Sequence, residues 1–110
     1  MIKWSRVAEL RDEIGEEDFA DVIDLFIDEV EEVVNRLRLT LSLPDLEQDL
    51  HFLKGSALCL GFERFSDLCQ DGERRAAAGD AANVDLPEIL DAYEQSKIQF
   101  LTELPNLKAA

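Results

Sequence analysis

Basic residues are scarce in this chain: eleven Lys and Arg stand against twenty-five Asp and Glu in 110 residues, a net charge of −14. Neutralising phosphates takes clustered Lys and Arg, and here they are scattered, which argues against nucleic acid or an anionic membrane as partner. No apolar run approaches the roughly eighteen residues of a membrane span, and Met1-Ile2-Lys3-Trp4 has no apolar signal-peptide core, so a cytoplasmic protein is expected. The two cysteines, Cys59 and Cys69, fit no zinc spacing and lie in apolar-periodic stretches, where reduced, buried thiols are expected. Histidine occurs once, which excludes a zinc site of several histidines. A di-iron or di-manganese bundle needs Glu-x-x-His on two helices, and His51 has Gln48 at the matching position. The few glycines form no Walker or Rossmann loop, so ATP and NAD binding have no support. No cofactor or metal of its own is expected.

What is present is helical. At 46% hydrophobic residues the chain can build an ordinary core without staples, and no linker or repeat divides it, so residues 1–110 read as a single domain. From Phe19 the apolar positions Val22, Ile23, Phe26, Ile27, Val30, Val33, Val34, Leu37 and Leu41 follow at intervals of three and four, opposite an acidic face of Asp21, Asp24, Asp28, Glu31 and Glu32. Before it, Ser5 is placed to cap a short helix, about 5–14, that ends near Gly15 and covers the bundle as a lid. A third helix runs from Asp45 to about Leu60, with Leu46, Leu50, Leu53, Ala57 and Leu60 inward, until Gly61 breaks it. A fourth turns Phe65, Leu68, Cys69 and Ala76 inward and stops at Gly79-Asp80. A fifth opens on the capping box Asp85-Leu86-Pro87-Glu88 and buries Leu86, Ile89, Tyr93, Phe100 and Leu104. The predicted fold is all-α: an antiparallel four-helix bundle over about 16–104 with a short N-terminal lid helix.

The histidine stands apart from this core. On a wheel of the third helix, His51 lies roughly 160° from the apolar centre near Leu53 and Leu60, so it faces solvent. Its neighbours on that face are Glu47, Gln48, Lys54, Gly55 and Leu58. Lys54 is placed to bring an ammonium to any anion the imidazole carries, and is expected to be exposed, with Glu47 as a competing neighbour. Gly55 costs a helix interior up to about 1 kcal/mol relative to alanine, and clearance for an approaching partner is one reason to keep it. The plain alternative is a solvated histidine beside a tolerated glycine. Ser56 points to the flank, where hydroxyls most often bond back to a carbonyl. Asp49, on the inward half of the helix, has no evident partner in the sequence.

The stretch from His51 to Gly61 resembles the signature of histidine-containing phosphotransfer (HPt) domains of two-component phosphorelays: His-x-x-Lys-Gly-Ser, a glycine ten residues after the histidine, here Gly61, and a cysteine in the next helix, here Cys69. The resemblance implies a four-helix bundle with the histidine exposed on a central helix, in agreement with the wheel. It implies that His51 accepts a phosphoryl group from a kinase or a receiver aspartate and passes it to a response-regulator aspartate. Lys54 would steady the phosphoryl oxygens, Gly55 would clear the approach, and the receiver would supply Mg²⁺. The docking surface expected around them is Glu47, Gln48, Leu58 and Phe62. The chain would be a monomeric phosphoryl carrier without kinase activity, its partners the receiver domains of a hybrid kinase and a response regulator, or a histidine kinase. The alternative is an adaptor that binds a receiver and carries no phosphate. Two positions depart from the family: Ala57 replaces a serine, and Gly72 stands where a large apolar residue is usual before an acid, here Glu73, and is expected to loosen the fourth helix.

Overall fold

The computed structural model describes residues 2–109, with side chains to 105. Five α-helices follow one another: α1 (Trp4–Ile14), α2 (Glu16–Leu39), α3 (Leu46–Leu60), α4 (Glu63–Ala77) and α5 (Leu86–Ala109). Single 3-10 turns at Leu43–Asp45 and Ala81–Asn83 join α2 to α3 and α4 to α5. Among the described residues there is no strand, only an isolated antiparallel bridge between Ile2 and Phe62. The all-α bundle read from the periodicity is therefore the fold.

Cross-helix pairs show which helices lie side by side. Arg36 of α2 meets Asp49 of α3, Leu50 and His51 of α3 meet Gly72 and Glu73 of α4, and α2 runs against α5 through Glu31–Lys97 and Arg38–Glu94. The α2–α5 seam thus lies across the bundle from the α3–α4 seam. The core that joins them holds Phe19, Ile23, Val30, Leu46, Leu50, Leu53, Phe65, Tyr93 and Phe100, each at most 2% exposed. These are the positions the spacing of three and four marks, because burying one stripe per helix is what makes the bundle stable.

Several ends differ from the sequence reading. The helix α1 is capped by Lys3, not Ser5: Ser5 is exposed inside the first turn, while the Lys3 carbonyl accepts from the amides of Arg6 and Val7. The lid itself forms, since Lys3 N–H donates to the Gly61 carbonyl at 2.7 Å and the Trp4 ring stacks on Phe100 at 5.7 Å. Leu41, expected on the α2 stripe, lies beyond the helix end at Leu39 and is 48% exposed. The helix α5 continues through Pro105 to Ala109, past the stop expected near Leu104, because a proline removes one backbone donor without preventing the turns on either side. Asp85 caps α5 as anticipated, its Oδ1 accepting the Glu88 amide at 3.1 Å.

Gly61 ends α3 in the left-handed region at φ +75°, with the amides of Gly61 and Phe62 turned back onto the carbonyls of Leu58 and Ala57. A Cβ there would also stand 2.7 Å from the Lys3 carbonyl oxygen, so glycine is required both by conformation and by the approach of the N-terminal segment. Gly72 does not loosen α4, which is continuous from Glu63 to Ala77. It is buried, and a Cβ would lie 2.8 Å from Leu50 Cδ1, 3.2 Å from Ile89 Cδ1 and 3.3 Å from Val84 Cγ1. The space that a large residue would occupy is filled from α3 and α5, and α4 packs close to α3 in return.

Candidate functional site

His51 sits one and a half turns into α3, on the side facing α4, with 69% of its side chain exposed. Its Nδ1 lies 2.8 Å from Glu73 Oε2. The other oxygen of the same carboxylate, Oε1, is sealed from solvent and lies 2.7 Å from Lys54 Nζ. One carboxylate on α4 therefore holds both candidate side chains of α3, and Gly72, one residue earlier, puts no Cβ into the space that Leu50, Ile89 and Val84 fill. Glu73 is 20% exposed and Lys54 only 24%. Lys54 is thus neither fully exposed nor paired with Glu47, contrary to expectation.

The Lys54 ammonium, and after it the hydrogen bond from His51, hold the Glu73 carboxyl below the usual carboxylate range, against the desolvation that pushes it up. An ionised carboxylate can only accept, so the proton of this bond belongs to His51 Nδ1. That fixes the neutral ring in the tautomer whose lone pair is on Nε2, the nitrogen directed away from Glu73. The site therefore presents one nucleophilic nitrogen with a cation one turn away.

Gly55 faces open space, with no atom within 4 Å of an added Cβ. Glu47 and Gln48 are exposed and Leu58 is 57% exposed. Phe52, at 39% exposure, adds an apolar surface that the wheel did not single out. Phe62 is a correction. It is 1% exposed and packs edge-on against Phe100 at 5.4 Å, so it supports the bundle and presents nothing to a partner. Ser56 is buried. Asp49 finds its partner in Arg36, bidentate at 2.7 and 3.0 Å, a pair that joins the last turn of α2 to the first of α3 with each charge at the favourable end of its helix. Cys69 is fully buried, whereas Cys59 is only half-buried; both are free.

Glu73 is the residue the sequence reading missed in its role. Its periodicity places it on the flank of an amphipathic helix like many other acids here, and only the resemblance, which expects an acid there, singles it out.

Comparison with known proteins bears on the family. The family model described as Hpt domain matches residues 21–109, from the first turns of α2 through α5. The chain belongs to the Hpt domain family. α1 and the first residues of α2 lie outside the match. A curated relative, histidine-containing phosphotransfer protein 5 of Arabidopsis thaliana, is 32% identical over 74 residues, 61% of this chain. The aligned part is 46% of that protein's length, so the chain spans about half of the relative. No solved structure matches this Hpt chain with significance. Among the described residues, no helix is long and apolar enough to cross a membrane, and no group of three or more His, Cys, Asp or Glu is arranged to hold a metal ion.

Proposed function

We propose that this Hpt domain is a phosphoryl carrier in a phosphorelay, with Nε2 of His51 as the phosphoacceptor. The observation that carries the reading is the Glu73 bridge, which orients the imidazole through Nδ1 and leaves Nε2 free on an open face. In the transfer the Nε2 lone pair attacks the phosphorus of an aspartyl phosphate, an N–P bond forms, and the acyl P–O bond breaks to return the aspartate carboxylate. The Nδ1 proton stays on the ring, which becomes cationic, and Glu73 stabilises that charge. The Lys54 ammonium forms an ion pair with Glu73 and carries three N–H donors that can reach phosphoryl oxygens. The reverse step delivers the group to a second aspartate.

Phosphoryl transfer asks mainly for positioning and charge neutralisation, so the carrier needs no ATP site. On this reading Mg²⁺ comes with the receiver domain, and the partners are receivers of a hybrid kinase and of a response regulator, or a histidine kinase. Gly55 gives their active-site loops clearance, and Glu47, Gln48 and Leu58 line the approach.

The test is transfer from phosphorylated receivers. The parent protein is expected to acquire an acid-labile, base-stable label, and His51→Gln to keep its helical spectrum and lose the label. An acid-labile label persisting in His51→Gln overturns the assignment, and a folded parent that binds receivers but never takes up label favours the adaptor.

A further inference from the structure

Across the bundle from His51, α5 carries a second patterned face. Pro87, Asp91, Glu94, Ile98 and Leu101 recur at intervals of four, three, four and three, which on a wheel gathers them within about 80° of arc on the side away from the core. Four of the five are exposed, Ile98 at 63% and Leu101 at 47%, and Glu94 is half-buried. Alternating intervals of three and four over two heptads are the seam spacing of paired helices. Among the described residues, no helix covers that face. At its N-terminal end the stripe opens into a groove of about 450 Å³ between α2 and α5, floored by Leu37, Leu86 and Leu90, with Arg38 on the α2 wall 3.0 Å from Glu94.

Charge decides what fits. In either orientation of a symmetric pair of α5 helices the acids meet themselves: antiparallel pairing over 87–101 centres on Glu94 against Glu94, and parallel pairing sets Asp91 against Asp91 as well. Both copies would also carry −14. The seam is apolar at its two ends and acidic in its middle, which complements a helix with apolar residues at its ends and a Lys or Arg at its centre. The stripe is about 21 Å long at 1.5 Å per residue, the length of roughly four turns.

We propose that the α2–α5 face docks a single amphipathic helix from a partner, apolar along its seam with a basic residue at the middle, while the His51 face stays open. The partner helix lies along α5, its central cation reaches Asp91 and shares Glu94 with Arg38, and its leading apolar residue enters the groove over Leu86 and Leu90. Because the face lies on the opposite seam, occupancy does not cover Nε2.

A synthetic 21-residue helix with leucines at the seam positions and lysine at the central one is titrated into the intact protein and followed by fluorescence anisotropy. The same peptide with glutamate in place of lysine serves as comparison. Ile98→Ser, Leu101→Ser and Asp91→Lys are each expected to weaken the lysine peptide at least tenfold while leaving the helical spectrum unchanged. Leu25→Ser, which removes an equally exposed residue from the outer side of α2, and His51→Gln are expected to bind as the parent does. The proposal is overturned if Leu25→Ser weakens binding as much as Ile98→Ser, which marks general attraction to an acidic surface, or if the glutamate peptide binds equally. It is also overturned if the protein alone self-associates and Ile98→Ser abolishes this, since the occupant is then a second copy.

Discussion

A carboxylate that bonds an imidazole nitrogen and an ammonium at once has two separable effects, and substitution separates them. Glu73→Ala frees the ring and leaves Lys54 without its partner, so phosphoryl uptake from a receiver should slow by about tenfold or more, as is usual when a group that orients a reacting side chain is removed. Glu73→Gln keeps an oxygen for Nδ1–H and loses only the charge, so it should retain more activity than Glu73→Ala; equal rates for the two would show that the hydrogen bond to His51 is unimportant. Lys54→Ala leaves the buried Oε1 of Glu73 without a counter-charge and should cost about 1–3 kcal/mol in urea unfolding, well above the effect of an ordinary surface substitution. Gly55 behaves oppositely. With open space around its missing Cβ, Gly55→Ala should stabilise α3 by up to about 1 kcal/mol. Gly55→Gln should fold as well as the parent, yet it places a long side chain one turn from His51. A displacement of about 1 Å at the reacting atoms can cost on the order of a hundredfold in rate, so its transfer should be much slower. Full-speed transfer by Gly55→Gln would show that partners dock without needing that clearance.

At the scale of elements, two glycines set how helices meet. Gly61→Ala must hold a left-handed residue and push back the Lys3 carbonyl, and the loss should be about 2 kcal/mol or more, with α1 released from the end of the bundle. Protection of the Lys3 amide from hydrogen exchange reads that release directly. Gly72→Leu adds bulk where Leu50 of α3, Ile89 of α5 and Val84 have already filled the volume. Overpacking of this kind costs about 1–3 kcal/mol, and it also drives α4 away from α3. Transfer from a receiver should therefore fall along with stability, because Glu73 withdraws from His51 and Lys54. A variant that loses stability but transfers at the parent rate would show that the α3–α4 spacing does not govern the site.

For the molecule as a whole, titration of its interior defines the pH range of the fold. Burial pushes the Cys69 thiol up to about 12, with Glu73 adding to the effect, and burial also raises the Tyr93 phenol, whose hydroxyl donates to Glu31. Both groups stay protonated in the folded state while their unfolded counterparts ionise, so their contribution is complete at neutral pH and declines as pH rises beyond about 9 for the thiol and about 10 for the phenol, by up to about 1.4 kcal/mol per pH unit for each group. Glu73 has the opposite sign: its lowered pKa contributes stability above the unfolded carboxylate value of about 4.3, and that contribution is lost as pH falls through the folded value. Thermal melts should accordingly show a decline at each end, and Cys69→Ala should flatten the alkaline one even though its cavity lowers the neutral Tm. The four amphipathic stripes, the Asp85 cap, the break at Gly61 and the exposure of His51 were legible in the residues alone, because periodicity and capping are local and each helix announces its buried face. The packed bundle was needed to see that Phe62 belongs to the core, that Asp49 answers Arg36, that Gly72 is a point of contact, and that Glu73 of α4 bridges His51 and Lys54 of α3. Those are relations between helices, and a helix wheel carries no information about which neighbour stands opposite a residue or how closely it approaches.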